Sequence, residues 1–337
     1  NMLGAHAPHR SIPFVADLLD DLDPAEDTLA EHIIFGITMA ALYGALPPGP
    51  GGAITRKKSV ANPGPLESFQ GYDRIPRAGP PVIAIPTTAG TGSEATKVAV
   101  IIDTRRQVKM MMLDSKLMPW YSFVDFELSM SMPRALTAHV GVDTLTHGIE
   151  AFVSRKANAL TDPLAASTIE LTARYLHQAW SEPANREARE AMAIAALHGG
   201  MAFTNSGLCL VHGMSRPLGA AFHLAHGLSN AILLPAVTRY SVQGAPGRYA
   251  AVARMMGLTA KGDSDEAACA ALVTGLETLN RDLQIPALSE CLQFDIEKFR
   301  SFTSKMAADA LASGSPGNNP VVPTQEEIVA IYERAWL

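Results

Sequence analysis

The stretch "VHGMSRPLGAAFHLAHG" at residues 211–227 places three histidines and one arginine among side chains that otherwise pack in protein interiors. A buried imidazole needs a hydrogen-bond partner and a buried guanidinium needs an anion, because burying an unpaired polar or charged group costs free energy. A metal ion or an anionic ligand would meet these needs for His212, Arg216, His223 and His226. The stretch is therefore a candidate functional site.

A second polar pair lies in "GVDTLTHGIEAF", where Asp143 and His147 are four residues apart in a helical pattern. Such residues project from one face of a helix and can bind one ion, although most such pairs are hydrogen-bonded surface pairs. His212 and His226 lie fourteen residues apart, with glycines and a proline between them, which predicts two helical segments joined by a turn. Together the four side chains would suit Fe²⁺ or Zn²⁺ and leave coordination open for a substrate oxygen.

A third candidate site is "PVIAIPTTAGTGSEAT", in which a predicted strand ends at Pro86 and a turn rich in Thr, Gly and Ser follows. Small residues let backbone N–H groups approach a phosphate or a ribose. The alternative is an ordinary strand-to-helix turn. The side chains that would contact a dinucleotide are the hydroxyl groups of the turn and a later lysine, namely Thr87, Thr88, Thr91, Ser93 and Lys109.

The elements that must position these residues change in character near Pro133. Before it, apolar runs at 32–36, 81–86, 97–103, 107–112 and 121–125 suit strands covered on both faces of an α/β sheet. After it, Ala- and Leu-rich stretches have helical spacing. Thr161 starts one helix, and Thr324 with Glu327 forms a capping box for the last. The sequence predicts an α/β domain over residues 1–127 and an all-helical domain over 128–337.

Composition narrows the class of protein further. The 337 residues, 47% hydrophobic and 18% charged, suffice for two globular domains. A net charge of −6 with no basic run longer than "RKK" argues against nucleic acid or an anionic membrane as a partner. No run reaches the length of a membrane span, the first residues lack a signal-peptide pattern, and the three cysteines are widely spaced. These features predict a cytoplasmic protein with a small-molecule partner.

Four longer segments together resemble the iron-containing (group III) alcohol dehydrogenases, the family of lactaldehyde reductases and 1,3-propanediol dehydrogenases. They are "PVIAIPTTAGTGSEAT", "FVDFELSMSMPRALTAHVGVDTLTHGIEAFVS", "GMAFTNSGLCLVHGMSRPLGAAFHLAHGLSNAILLP" and "NNPVVPTQEEIVAIYERAW", over roughly residues 64–337. The resemblance implies a dehydroquinate synthase-like fold, in which a nucleotide-binding α/β domain faces an all-helical domain across a cleft that holds a divalent metal. We also expect a homodimer or a larger homo-oligomer.

The resemblance assigns the metal ligands to the same side chains that the spacing selects: Asp143, His147, His212 and His226. Fe²⁺ is the expected ion and Zn²⁺ the alternative. It assigns contacts with NAD or NADP to the hydroxyl turn and the later lysine: Thr87, Thr88, Thr91 and Lys109. The segment "SKLMP", with Leu117, falls near the nicotinamide, whereas Glu150 and Asp125 are interpreted as structural.

The implied reaction is reversible hydride transfer between a primary alcohol and the nicotinamide cofactor, with the metal as Lewis acid. One departure leaves two alternatives open, a metal-free enzyme like the maleylacetate reductases and a catalytically silent homologue. The family's "GGGS" pyrophosphate turn has no counterpart, because "HIIFGITMAALYGALPPGPGG" begins like the expected strand and then diverges. The region before residue 64 is also short for the usual first βαβ units, so either loops are missing or the cofactor site is damaged.

The second departure concerns substrate choice. Where the family usually reads "HGMAHPLGA", this chain has "HGMSRPLGA", which places Arg216 at the edge of the expected substrate pocket. A guanidinium is a permanent cation with a planar fork suited to carboxylate, phosphonate or sulfonate, so the residue predicts an anionic substrate. An ion pair with a nearby acid is the alternative. His223 is a candidate for proton relay, with packing against the backbone as its alternative.

Overall fold

The structure is a computed structural model that describes residues 62–103, 108–260, 262–292 and 294–336. The predicted strand at 32–36 and the divergent segment that begins with it lie outside the described residues. The side chain of Lys109 also lies outside them, although its backbone is part of a strand.

In the described residues, the strands lie between 71 and 122: β1 Gly71–Tyr72, β2 Ile83–Ala84, β3 Val98–Asp103, β4 Val108–Leu113 and β5 Tyr121–Ser122. β4 runs parallel to β1 and antiparallel to β3, and β2 pairs with β5 in parallel. Four of the predicted runs are therefore confirmed as strands. The expectation that both faces are covered is wrong for β3, because Val100 is 48% exposed. An antiparallel hairpin can bury one face and leave the other in water.

Helices make up most of the described chain beyond Pro133. Their bounds are α1 Arg134–Val153, α2 Thr161–Ser181, α3 Arg186–Ser206, α4 Leu210–Phe222, α5 His226–Ser241, α6 Pro246–Met255, α7 Asp265–Asp282, α8 Leu288–Cys291, α9 Ile296–Ala312 and α10 Gln325–Arg334. The start of α2 at Thr161 and the capping box of α10 are confirmed. The α/β-plus-helical fold class is confirmed too, whereas a domain boundary at residue 127 stays a prediction.

α1 lies at the centre of the helical part. It packs against α2, α3 and α5, and nearly every residue after its first turn is buried. A helix buried on all sides is normally apolar, because polar groups inside a protein must find partners. The polar residues of α1 therefore need partners on the neighbouring helices.

The turn "TTAGTG" at 87–92 is held against α1 and α3 by contacts that leave no room for a side chain. Gly92 has a φ of 61°, and a Cβ there would lie 2.6 Å from the carbonyl oxygen of Ala196. Gly200 of α3 faces it, and a Cβ on Gly200 would overlap the carbonyl oxygen of Gly92. Thr144 of α1 donates from Oγ1 to the carbonyl oxygen of Gly90 at 3.0 Å. Two helices thus fix the position of this turn.

In the described part of the chain, no single helix has both the length and the apolar character needed to cross a membrane. α3 and α4 pass that test only when taken together, and they meet at a bend of 103°.

We expect Gly200→Ala to lower the free energy of unfolding by about 1–3 kcal/mol, because the new methyl group must push the backbone of the turn away. Urea denaturation checks this value. Gly317→Ala is the matched control, since a Cβ there meets no atom within 4 Å. That control should change the free energy by less than about 0.5 kcal/mol. Equal stability of the two variants would show that the turn does not depend on this contact.

Candidate metal centre

α1 carries two of the predicted ligands, and both are almost completely buried. Asp143 is 1% exposed and His147 is 2% exposed. Nε2 of His147 lies 3.6 Å from Oδ1 of Asp143. The ring of His147 lies close to two other rings, with centroid distances of 4.5 Å to Phe203 and 4.8 Å to His212. The four-residue spacing thus brings a carboxylate and an imidazole together inside the protein.

α4 and α5 bring the other two ligands to the same point. α4 ends at Phe222 and α5 begins at His226, so the predicted pair of helices joined by a turn is confirmed. Nε2 of His212 lies 3.3 Å from Oδ1 of Asp143. The possible ligand atoms of three residues lie within 4.8 Å of one another, namely those of Asp143, His212 and His226. His147 lies beside this group, next to Asp143. Carboxylate and imidazole donors that converge in this way fit a divalent iron or zinc ion.

Glu150 lies two turns beyond Asp143 on α1, and its buried carboxylate accepts three donors from the start of α4. Oε2 accepts the backbone N–H of Cys209 at 2.9 Å and lies 2.8 Å from Nδ1 of His212. Oε1 accepts the backbone N–H of Val211 at 2.6 Å. The Nδ1 of His212 therefore carries a proton, and Nε2, which faces Asp143, is the nitrogen available to a metal ion once it is deprotonated.

This contact adds a role in orienting His212 to the structural role that the sequence analysis gave Glu150. A signal for it was present in the sequence. Asp143, His147 and Glu150 follow the spacing i, i+4 and i+7, which places all three on one face of a helix.

The charges of the cluster suit a cation. Burial alone would raise the pKa of Asp143, but the imidazoles of His147, His226 and His212 hold it well below its usual value. Burial lowers the pKa of His147 to about 4, so this ring is neutral at pH 7. Burial acts in the same direction on His212, but the carboxylates of Glu150 and Asp143 outweigh it and raise the pKa. Ionised carboxylates and neutral imidazoles are the forms that bind metals, so an ion entering the site would displace a proton from any charged ring.

The residues predicted to contact a dinucleotide lie in varied settings. Thr88 lines a small cavity, while Thr87 and Ser93 are half-buried. Thr91 is 6% exposed, and its Oγ1 accepts the backbone N–H of Ser93 at 3.1 Å. Leu117 is buried in a small apolar core beneath β3 and β4. A dinucleotide contact at each of these positions stays a prediction.

The cavity lined by Thr88 also contains an acid that the sequence analysis did not single out. Glu94 lines it and is 4% exposed, and burial raises the pKa of its carboxyl to about 7. Asp125 lines the same cavity. A glutamate within a hydroxyl-rich turn gives no sign in the sequence that its side chain is buried.

Arg216 lies one turn beyond His212 on α4, which continues through Pro217. Its Nη1 donates to Oγ of Ser315 at 3.0 Å. Burial lowers the pKa of Arg216, while Glu150 and Tyr72 act to raise it. No carboxylate oxygen of a described residue lies within 4.0 Å of this guanidinium, so the alternative of an ion pair gains no support there.

His223 has a different position from the other histidines of the stretch. It is exposed and ends α4 with a φ of 55°, in the left-handed region. A role in proton relay stays a prediction for this residue.

Two family profiles match the chain and agree with the resemblance predicted from its motifs. "Iron-containing alcohol dehydrogenase" matches residues 55–126, and "Fe-containing alcohol dehydrogenase family, C-terminal" matches residues 137–336. Lactaldehyde reductase of Escherichia coli (strain K12) is 40% identical over 271 residues, which are 80% of this chain and 69% of that protein.

Two solved structures resemble the fold. A 1,3-propanediol oxidoreductase is 36% identical with a TM-score of 0.79, and the match covers 84% of this chain and 73% of that one. A sulfoacetaldehyde reductase from Bifidobacterium kashiwanohense in complex with NAD⁺ is 28% identical with a TM-score of 0.71, over 84% of this chain and 72% of that one.

We expect Glu150→Gln to weaken metal binding about 10- to 100-fold, because a carboxamide has one acceptor oxygen for three donors and no longer fixes the ring of His212. Competition with a chromogenic chelator measures the dissociation constant. Glu170→Gln, an exposed position on α2, is the matched control and should leave the constant unchanged. Equal affinities of the two variants, with both folded by circular dichroism, would contradict the orienting role.

Proposed function

Because this chain belongs to the family of iron-containing alcohol dehydrogenases, we propose that it interconverts a primary alcohol and an aldehyde with NAD or NADP. We assign the divalent metal, Fe²⁺ or Zn²⁺, to Asp143, His147, His212 and His226. The observation that supports this assignment best is the convergence of buried side chains from α1 and α4 with the half-buried His226 of α5.

The protein's own residues would contribute in three ways. Asp143 stays ionised because its pKa is low, and it supplies negative charge to a cation. Glu150 holds a proton of His212 on Nδ1, so that Nε2 is the nitrogen that would coordinate the metal. Burial of these groups excludes water, which strengthens every electrostatic interaction in the site. A metal bound there supplies Lewis acidity toward an alcohol or carbonyl oxygen.

We place the dinucleotide at the turn that contains Thr87, Thr88, Thr91 and Ser93, with Lys109 and Leu117 as further contacts. The docking of this turn on α1 and α3 supports the placement, because the same helices carry or contact the metal ligands. A cofactor held by the turn would therefore have a fixed relation to the metal. The sulfoacetaldehyde reductase named above was solved with NAD⁺, which is consistent with a nicotinamide cofactor.

We further propose that the substrate carries an anionic group and that Arg216 binds it. The guanidinium lies one turn from a metal ligand and has no carboxylate partner among the described residues. Sulfoacetaldehyde, the substrate in the name of one structural relative, is an aldehyde that bears a sulfonate. Arginine is the side chain best suited to such groups.

The metal-free reductase and the silent homologue remain the competing functions. The four donor side chains argue against a metal-free enzyme, since such an enzyme has no need for them. A silent homologue should bind neither NADH nor NADPH, and fluorescence titration of the wild type tests that directly. Assembly as a homo-oligomer and a cytoplasmic location stay predictions, as does the division into domains at residue 127.

We expect His226→Ala to lose at least tenfold in metal affinity and most of the alcohol-oxidising activity. Metal content by mass spectrometry and initial rates with added Fe²⁺ or Zn²⁺ provide the two measurements. His177→Ala, an exposed position on α2, is the control and should keep both properties. A His226→Ala protein that loses metal but keeps activity would favour the metal-free reductase.

We expect the wild type to prefer an anionic aldehyde over a neutral one of similar length, and Arg216→His to lose most of this preference. A charge-assisted contact of roughly 1.5–3 kcal/mol corresponds to about a ten- to a hundredfold change in kcat/KM. The measurement is kcat/KM for both aldehydes in both proteins. A wild type that prefers the neutral aldehyde would rule out this specificity role.

A further inference from the structure

Asn230 reaches the ligand cluster from α5, one turn beyond His226, and is completely buried. Its Nδ2 lies 2.6 Å from Oδ1 of Asp143, 3.1 Å from Nε2 of His212 and 3.2 Å from Nε2 of His226. These atoms belong to the same three residues whose ligand atoms converge at the candidate metal site. The carboxamide of Asn230 therefore lies within hydrogen-bond distance of three of the four predicted metal ligands.

The other end of this carboxamide has no hydrogen-bond partner among the described residues. Oδ1 of Asn230 is buried and accepts no hydrogen bond from the described residues. An unsatisfied buried amide oxygen is costly, and each one in a folded protein needs an explanation. A half-turn about the Cβ–Cγ bond exchanges the nitrogen and oxygen of an Asn side chain with almost no change in shape. The oxygen would then face the ligand atoms of the cluster, an arrangement that a cation bound among them would stabilise.

The spacing of the carboxamide supports this explanation. Donor atoms that share an ion at about 2.1 Å lie roughly 3 Å from their neighbours in the coordination sphere. The terminal atom of Asn230 has this separation from Asp143, His212 and His226. Amide oxygens are also established ligands for divalent ions.

We propose that Asn230 is a further metal ligand, which presents Oδ1 to the ion bound by Asp143 and the histidines. The inference rests on the metal site proposed above. It accounts for the close approach of one end of the carboxamide to Asp143, His212 and His226. It also adds a neutral oxygen donor, which increases the coordination number without adding charge.

The test uses Co²⁺ as the probe, because its visible absorption weakens as its coordination number rises. Asn230→Ala should bind Co²⁺ about tenfold more weakly than the wild type and give a more intense visible spectrum. Asn319→Ala is the matched control, since Asn319 is equally buried and its amide donates to Ser241 and to the carbonyl oxygen of Val321. That variant should keep the wild-type affinity and spectrum.

Asn230→Asp is the second variant, and it keeps the size of the side chain and an oxygen donor. It should bind Co²⁺ at least as tightly as the wild type, with a similar spectrum. The proposal is overturned if Asn230→Ala matches the wild type, or if it binds more tightly, because the amide N–H groups would then compete with the ion. Weaker binding by Asn230→Asp would overturn it too. A wild type that binds no Co²⁺ would instead refute the metal site itself, and this inference with it.

Discussion

The candidate metal centre depends on one buried carboxylate that joins two helices. The first N–H groups of a helix have no partner within it, and α4 begins without a side-chain cap. Glu150 of α1 takes this place, since it accepts the N–H groups of Cys209 and Val211 and the proton of His212. The positive end of the α4 dipole favours the negative charge. One interaction therefore caps α4, fixes its position on α1 and orients a ligand.

The same central helix relates the metal centre to the hydroxyl-rich turn. Thr144 of α1 lies between the ligands Asp143 and His147 in the chain and binds the carbonyl oxygen of Gly90 in the turn. Gly200 of α3 meets Gly92 from the other side. Because a Cβ on Gly92 or on Gly200 would overlap the backbone of the facing segment, the turn is fixed relative to the helices that carry or contact the predicted ligands. Positioning of this kind is what hydride transfer demands of a protein.

Periodicity and motif order were enough to predict that Asp143, His212 and His226 converge with His147 beside them, as well as the helical part and four of the strands. They did not predict the antiparallel pairing of β3 with β4, because an apolar run indicates burial but not strand direction. The contacts of Glu150 and Asn230 were missed for another reason. Each is a buried polar residue whose role depends on atoms of a different helix. Helical spacing from Asp143 and His226 marks the correct face, but only the packing of α1, α4 and α5 supplies the partners.

The pairing of Glu150 also bears on the arginine of the same helix. Arg216 and His212 are one turn apart on α4, about 6 Å along its axis. Burial lowers the pKa of Arg216 and Glu150 opposes this effect, but both oxygens of Glu150 already accept donors from the start of α4. The carboxylate that fixes the metal ligand is therefore not available as a bidentate partner for the guanidinium. Because no carboxylate of the described residues pairs with this guanidinium, an anion that binds there would lower its free energy, which is the physical basis for proposing an anionic substrate.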